Sequence, residues 1–448
     1  MNHARINLRQ QLAKLSLPLF FDIALVMLIG AADALMLARW SDGAAGAVGM
    51  VNQLVTLVFL VYQFISMGAA ILSAQYFGAG EWARLRVVAR LALALNAVFG
   101  LAVSATLALK AEAILRLMGL DAALLPDAVR YLQITGSLSF FPALSLTLGA
   151  SLRSCDRTVE PMLANLAANL VNLVGNTALI FGHFGCPALG AEGAAWATAA
   201  ARIAAFGVLA AISCTRASPL RAGRADGQRA APLKELANLF KVGIPAMSEE
   251  ISYCLSQVAV IYFINRISIV ALTTKTYCTN IINFMLVFVC SMTQGGSILV
   301  GHLVGRRQYR AAYLVGTYVL RRGMTVTLAC AVLLAAAAPF ILGFLTDNAD
   351  IVRLGSTILV IEILLEVGRV RNIFACGTLR AAGDVVYPVV VGVTVQWSVG
   401  VGVAWALGLP LGYGLVGIWI GFTLDENIRG VILMRRWHSL RWQGKSFA

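Results

Sequence analysis

The residues most able to do chemistry are polar side chains set inside long apolar stretches. Asp33 interrupts the run Met27-Leu28-Ile29-Gly30-Ala31-Ala32 and Ala34-Leu35-Met36-Leu37. Asn165, Asn169, Asn172 and Asn176 recur at spacings of 4, 3 and 4, which line one face of a helix. Thr198 stands in the next apolar run. One carboxylate with amide and hydroxyl oxygens offers ligands to a hard cation such as Na⁺, or a proton site with neutral neighbours. An ionisable group inside a bilayer costs about 2.5–3.5 kcal/mol on insertion scales, so its presence needs a reason. For the asparagines a plainer reading is open: polar side chains commonly hydrogen-bond between membrane helices.

A second set lies later in the chain. Glu362 and Glu366 are one turn apart, and Arg369 follows three residues beyond Glu366, within reach of a local ion pair. Glu249 and Glu250 enter another apolar run. Glu249, Glu362, Glu366 and Arg369 are candidates for a substrate cavity, because two carboxylates in apolar surroundings rarely both stay ionised and a cationic ligand would neutralise them. A structural Glu366–Arg369 pair is the alternative. Asp425, Glu426 and Arg429 form a further set in which the i,i+4 spacing favours an internal ion pair. Aromatic and Met residues such as Phe59, Tyr62, Met67, Phe284, Phe288 and Met292 suit an adaptable cavity wall, or ordinary packing.

Elements that position such residues must be membrane helices. Of 448 residues, 59% are apolar and 12% charged, and mean hydropathy is +0.81. Soluble domains carry about 25% charged residues. A soluble enzyme, a disordered chain and a disulfide scaffold are therefore excluded. The eight cysteines include no C-x-x-C pair, and the four histidines are scattered. No H-E-x-x-H, G-x-S-x-G or Walker loop occurs, which argues against a membrane-embedded enzyme and against an ATP-driven pump.

Apolar runs place twelve helices near 15–38, 48–75, 87–109, 128–151, 159–182, 191–213, 242–265, 276–303, 323–346, 354–379, 385–409 and 414–434. A start inside the cell puts 24 Lys and Arg in cytoplasmic segments and six outside, namely Arg39, Lys110, Arg116, Arg266, Lys275 and Arg353. That is the positive-inside pattern, so the net charge of +14 orients the chain in a membrane and needs no nucleic acid. Both termini are expected in the cytoplasm. Ala32-Asp33-Ala34 has the small-x-small form of a signal cleavage site, but the apolar run continues past it.

The chain also repeats itself. Residues 15–82 resemble 242–309 at a shift of 227: Pro18 matches Pro245, Asp22 Glu249, Arg39 Arg266, Gly68 Gly295 and Gly78 Gly305. Leu152-Arg153 matches Leu379-Arg380, and at a shift of 224 Gly190 and Gly193 match Gly414 and Gly417. Six helices per copy make the repeats parallel. The expected division is an N-lobe over 1–215, a cytoplasmic linker over 216–241 and a C-lobe over 242–448. The repeat also gives an internal comparison. Asp33, Asn172, Asn176 and Thr198 correspond to Val260, Val399, Val403 and Phe422, so this polar group is peculiar to one copy.

The chain resembles the multidrug and toxic compound extrusion (MATE) transporters over roughly 15–435. The resemblance is carried by A-A-D-A-L-M-L-A-R in helix 1, A-Q-Y-F-G-A-G after helix 2, S-L-R-S-C-D after helix 4, N-L-V-N-L-V-G-N-T-A-L-I-F-G in helix 5 and T-L-R-A-A-G-D in the second half. It implies an all-α, V-shaped two-lobe transporter of twelve helices in the inner membrane. It implies antiport of organic cations against Na⁺ or H⁺, with the ion at Asp33, Asn172, Asn176 and Thr198. Some relatives carry a second carboxylate where this chain has Asn176. No cofactor, catalytic residue, resident metal or nucleic-acid partner is expected; the expected partners are a small organic substrate and the lipid bilayer, and the expected state is a monomer. A lipid-linked precursor flippase is the nearest rival, and it would favour a large basic cavity.

Overall fold

The structure, a computed structural model, describes residues 2–215, 218–220 and 231–448, and the side chains of these except 2–9 and Asp42. Of the expected linker, 216, 217 and 221–230 lie outside the described residues, as do the side chains of Arg5 and Arg9.

The first half contains α1 (Asn2–Trp40), α2 (Asp42–Ala79), α3 (Trp82–Leu117), α4 (Leu125–Ser137), α5 (Phe140–Ser154), α6 (Val159–Phe181) and α7 (Ala191–Cys214). The second contains α8 (Pro232–Ile267), α9 (Ile269–Gly305), α10 (Tyr309–Leu345), α11 (Ala349–Ala381), α12 (Val386–Val395), α13 (Gly402–Gly408) and α14 (Gly414–His438). Twelve rods result, because α4 and α5 form one span bent by 46° and a π-helical stretch, Gln396–Val401, joins α12 to α13. No strand occurs among the described residues.

Three expectations from the sequence are corrected here. Helix 1 begins at residue 2 and not near 15. Helix 4 is broken at Leu138 and Ser139. Helix 7 begins at Pro232, so the last ten residues of the expected linker are helical. In each case the apolar run marks the membrane-depth part of a longer rod, and the amphipathic extension is built from good helix formers such as Leu233, Lys234, Glu235 and Leu236.

Eight helices, nine with the bent pair, are long and apolar enough to cross a bilayer. The rods missing from that set are α8, α11 and α14, of 36, 33 and 25 residues. They carry Glu249 and Glu250, Glu362, Glu366 and Arg369, and Asp425, Glu426 and Arg429.

The chain divides into two compact units. One is Phe21–Met247; the other joins the residues up to Phe20 to Ser248–Ala448. The two boundaries are themselves 227 residues apart, and each falls inside a helix, two residues after Pro18 and Pro245. Within the second unit Leu12, Leu15 and Leu19 are buried in one core cluster with Val304, Val315, Phe374 and Trp437. Within the first, Leu239 and Val242 are fully buried and Phe240 meets Phe64 at 5.8 Å between ring centres. Glycines permit these crossings. A Cβ on Gly68 would lie 2.9 Å from the Leu239 carbonyl oxygen, and one on Gly295 would run into Ser16 Oγ. The repeat therefore preserves the crossing itself, since Ser16 and Gly243, which faces Gly68, are also 227 apart.

Local signals recur at the same shift. Ser41 caps α2 by accepting from the Ala44 N–H, and Ser268 caps α9 by accepting from Ala271, as small hydroxyl residues do at helix starts. The turn ending α2 takes a left-handed residue, Gly80, at φ 76°; its counterpart Arg307 adopts φ 59° without being glycine.

Candidate coupling site

In the Phe21–Met247 unit, the rods α1, α6 and α7 bring the expected coupling residues together. Asn176 Nδ2 donates to Asp33 Oδ1 at 2.6 Å and lies 3.2 Å from Asn172 Oδ1. Asn172 Nδ2 in turn donates to Thr198 Oγ1 at 3.3 Å. Asn172 and Asn176 are buried and Asp33 is half-buried. The carbonyl oxygen of Asn176 is buried with no hydrogen-bond partner. A carboxylate, an unengaged amide oxygen and a hydroxyl thus share one chamber, a donor set that suits a small hard cation and equally accepts a proton on Asp33.

The asparagine face divides its work along α6. Asn165, nearer the start, donates to Asp22 Oδ1 at 2.6 Å, while Asp22 Oδ2 accepts from Arg153 at 2.8 Å. Asn169 Nδ2 is buried without a partner. Only Asn172 and Asn176 reach the Asp33 end.

Two further residues belong to this chamber, and sequence reasoning passed over both. Tyr131 on α4 is buried and its hydroxyl hydrogen-bonds Thr198. Arg202 lies one turn after Thr198 on α7, and its Nη1 donates to the Thr135 carbonyl oxygen at 3.1 Å. The signal for Arg202 was present in the spacing: four residues from Thr198 puts both on one helical face.

The second copy fills the equivalent space with hydrocarbon. Val260 is buried in a core cluster with Ile264, Leu365 and Trp419, and Phe422 packs against it. The shared ion pair at the helix ends does recur. Asp22–Arg153 has its counterpart, at a shift of 227 for both partners, in Glu249–Arg380. Where Asn165 backs Asp22, the corresponding residue is Gly392, and a Cβ there would meet the Glu249 carboxyl. The longer acid is accommodated by the missing side chain.

The candidate cavity residues of the second half are engaged with one another. Arg369 donates to Glu362 Oε1 at 2.7 Å and to Glu366. Glu362 Oε2 also accepts from Trp419 Nε1 at 2.6 Å. Glu362 and Glu366 are 2% and 0% exposed, so these carboxylates sit inside the helix packing. Glu249 holds Arg380. Arg429 bridges Asp425 and Glu426, and Asn372 donates to Glu426 Oε2 at 2.8 Å. Gly400, in the π-helical stretch, packs directly on Asp425; such π segments occur often at functional sites.

The family model described as MatE matches the chain twice, over residues 18–178 and 245–406. The chain belongs to the MatE family. The two matched segments start 227 residues apart, so the model finds in each half the repeat seen in the ion pairs and caps. This MatE chain is 37% identical over 437 residues to the uncharacterized transporter YisQ of Bacillus subtilis, covering 98% of this chain and 96% of that one. It is 27% identical over 453 residues to the probable multidrug resistance protein NorM of Thermotoga maritima, covering 98% and 94%. Its fold matches a mutant of the Vibrio cholerae MATE transporter VcmN at a TM-score of 0.89 and 17% identity, over 99% of each chain. The MatE fold of twelve helices in two parallel six-helix repeats follows, and with it a multi-pass membrane transporter of the multidrug efflux family.

Proposed function

We propose that the chain is a secondary active exporter of the inner membrane that trades inward movement of Na⁺ or H⁺ for outward movement of a bulky organic cation. Both termini face the cytoplasm on this reading, following the basic loops, and the protein works as a monomer. The observation that carries the reading is the Asp33–Asn176–Asn172–Thr198 chain, present in one copy of the repeat and replaced by Val260, Val403, Val399 and Phe422 in the other. A polar network needed only for packing would have been kept in both copies.

The ion occupies Asp33 in one state of the cycle and leaves it in another. Its differential affinity for the two states drives the exchange, since a ligand that binds both equally shifts nothing. The carboxylates of the second half act through their arginines: Glu362, Glu366 and Arg369 brace α11 against α14, and Glu249–Arg380 repeats the brace of Asp22–Arg153.

The test is transport of cationic dyes in proteoliposomes with Na⁺ and H⁺ gradients imposed separately. Accumulation driven by one gradient and lost in Asp33→Asn supports the reading. Accumulation at the wild-type rate in Asp33→Asn overturns it.

A further inference from the structure

The chamber around Asp33 contains a charge that ion exchange alone does not explain. Arg202 has a half-buried side chain on α7, and its guanidinium lies over the Phe59 ring with Cζ 5.8 Å from the ring centre. A guanidinium carries five N–H donors. One of them is used, on the Thr135 carbonyl oxygen. Arg153, Arg369, Arg380 and Arg429, also set within helix packing, each hold a carboxylate. Arg202 holds none among the described residues. At the repeat shift of 224 its counterpart is Glu426, an acid held by Arg429 and Asn372, so the charge at this position is inverted between the copies.

Hydroxyls surround the free side of the guanidinium. Tyr131 is near enough to both Asp33 and Arg202 to interact electrostatically with each, and Tyr62 is near Arg202 on the α2 side. The chamber therefore presents a carboxylate at one end and a guanidinium at the other, joined by the Asn176–Asn172–Thr198–Tyr131 chain. When a cation neutralises Asp33, the charge of Arg202 has no counter-charge left in the chamber. A carboxylate on the same incoming molecule would supply it, and guanidinium matches carboxylate in shape and in paired hydrogen bonds.

We propose that the first-half chamber binds amphoteric small molecules, with a cationic group at Asp33 in place of the coupling ion and a carboxylate at Arg202. This specifies the substrate class and rests on the reading of Asp33 as the exchange site. It stays consistent with antiport, because the ion and the cationic end of the substrate compete for one carboxylate.

The test uses two dyes that differ in one group. Rhodamine 110 has a cationic xanthene and a free carboxylate; rhodamine 123 is its methyl ester. Binding of each to the full chain in lipid nanodiscs is followed by fluorescence polarisation near neutral pH. The wild type should prefer rhodamine 110. Arg202→Gln should weaken rhodamine 110 roughly tenfold or more, the loss expected for a charge-assisted bond, while rhodamine 123 binds as before or tighter. Rhodamine 123 binding by the same sample certifies its fold, and Arg202→Lys, which keeps the charge, should retain part of the preference. Equal weakening of both dyes, an unchanged ratio between them, or no binding of rhodamine 110 by the wild type would overturn the proposal. Gradient-driven export that survives Asp33→Asn while the Arg202→Gln ratio still shifts would remove the coupling reading and leave the carboxylate subsite standing.

Discussion

The two halves of this chain are the same scaffold with different interiors. Both have a capping serine, a Pro, an acid four residues after that Pro, and an arginine that receives the acid. In the first half the next turns of α1 and α6 open into a polar chamber. In the second half the same turns close with Val260, Phe422 and Trp419, and charge is displaced to α11 and α14, where carboxylates and arginines saturate one another. The difference teaches that duplication conserves what holds helices together and releases what does chemistry. The residues that recur are structural, and those that fail to recur are the candidates for function.

The sharpest way to break this comparison is Asp33→Asn. It keeps size and removes charge, so membrane insertion and helix content should match wild type while gradient-driven dye export falls to the background of empty liposomes. If export persists, the unique polar group is not the functional one. Next in size is Glu366→Gln or Arg369→Gln. Breaking a buried ion pair from one side costs about 3–5 kcal/mol, and thermal unfolding in detergent should register it as a large drop in midpoint. A well-folded Glu366→Gln protein with altered dye preference would instead put that carboxylate in contact with substrate.

A smaller effect tests the recurring brace. Asp22→Asn and Glu249→Gln each leave a buried arginine without its acid. Both should lower stability by a similar amount, of order 2–4 kcal/mol for partly buried pairs, and double-mutant cycles with Arg153 and Arg380 should return matching coupling energies. Unequal couplings would mean that the copies use the pair differently. The mildest is Arg307→Gly. Arg307 occupies the left-handed region at φ 59°, where glycine has no steric penalty but a higher unfolded-state entropy. The net gain should be up to about 1 kcal/mol, read from the unfolding midpoint, whereas Gly80→Ala, its counterpart, should lose a comparable amount.

Much of the fold was legible because the strongest signals are local. The apolar runs and a constant shift of 227 locate the rods and the duplication, and Ser41 and Ser268 mark helix starts by their own side chains. The break at Leu138–Ser139 was not legible. No proline or glycine stands at the break itself, and the bend is held by contacts from other helices, including Tyr62 to Ser139 at 3.0 Å and Ser104 to the Phe140 N–H at 3.0 Å. The π-helical stretch was hidden likewise, since its fit depends on Gly400 meeting Asp425 on another rod. At the site, Asp33, Asn172, Asn176 and Thr198 could be grouped because each is an odd residue in its run and each vanishes in the other copy. Arg202 escaped because a lone arginine reads from sequence as one more basic residue. Only tertiary packing reveals that no acid answers it while acids answer the others.

The unit boundaries inside α1 and α8 have a consequence for how the protein is made. The unit that begins at Phe21 needs residues 232–247 to complete its packing, and the other unit needs Leu12, Leu15 and Leu19 from the first turns of the chain. Neither half is therefore whole when cut at the linker: a fragment ending near residue 215 lacks a helix segment it must bury, and a fragment starting there lacks another. During synthesis the first unit cannot finish until the ribosome has passed residue 247, and the opening segment of the chain must wait, with its leucines uncovered by protein, until α9, α10, α11 and α14 have emerged. The earliest residues made are among the last to find their place.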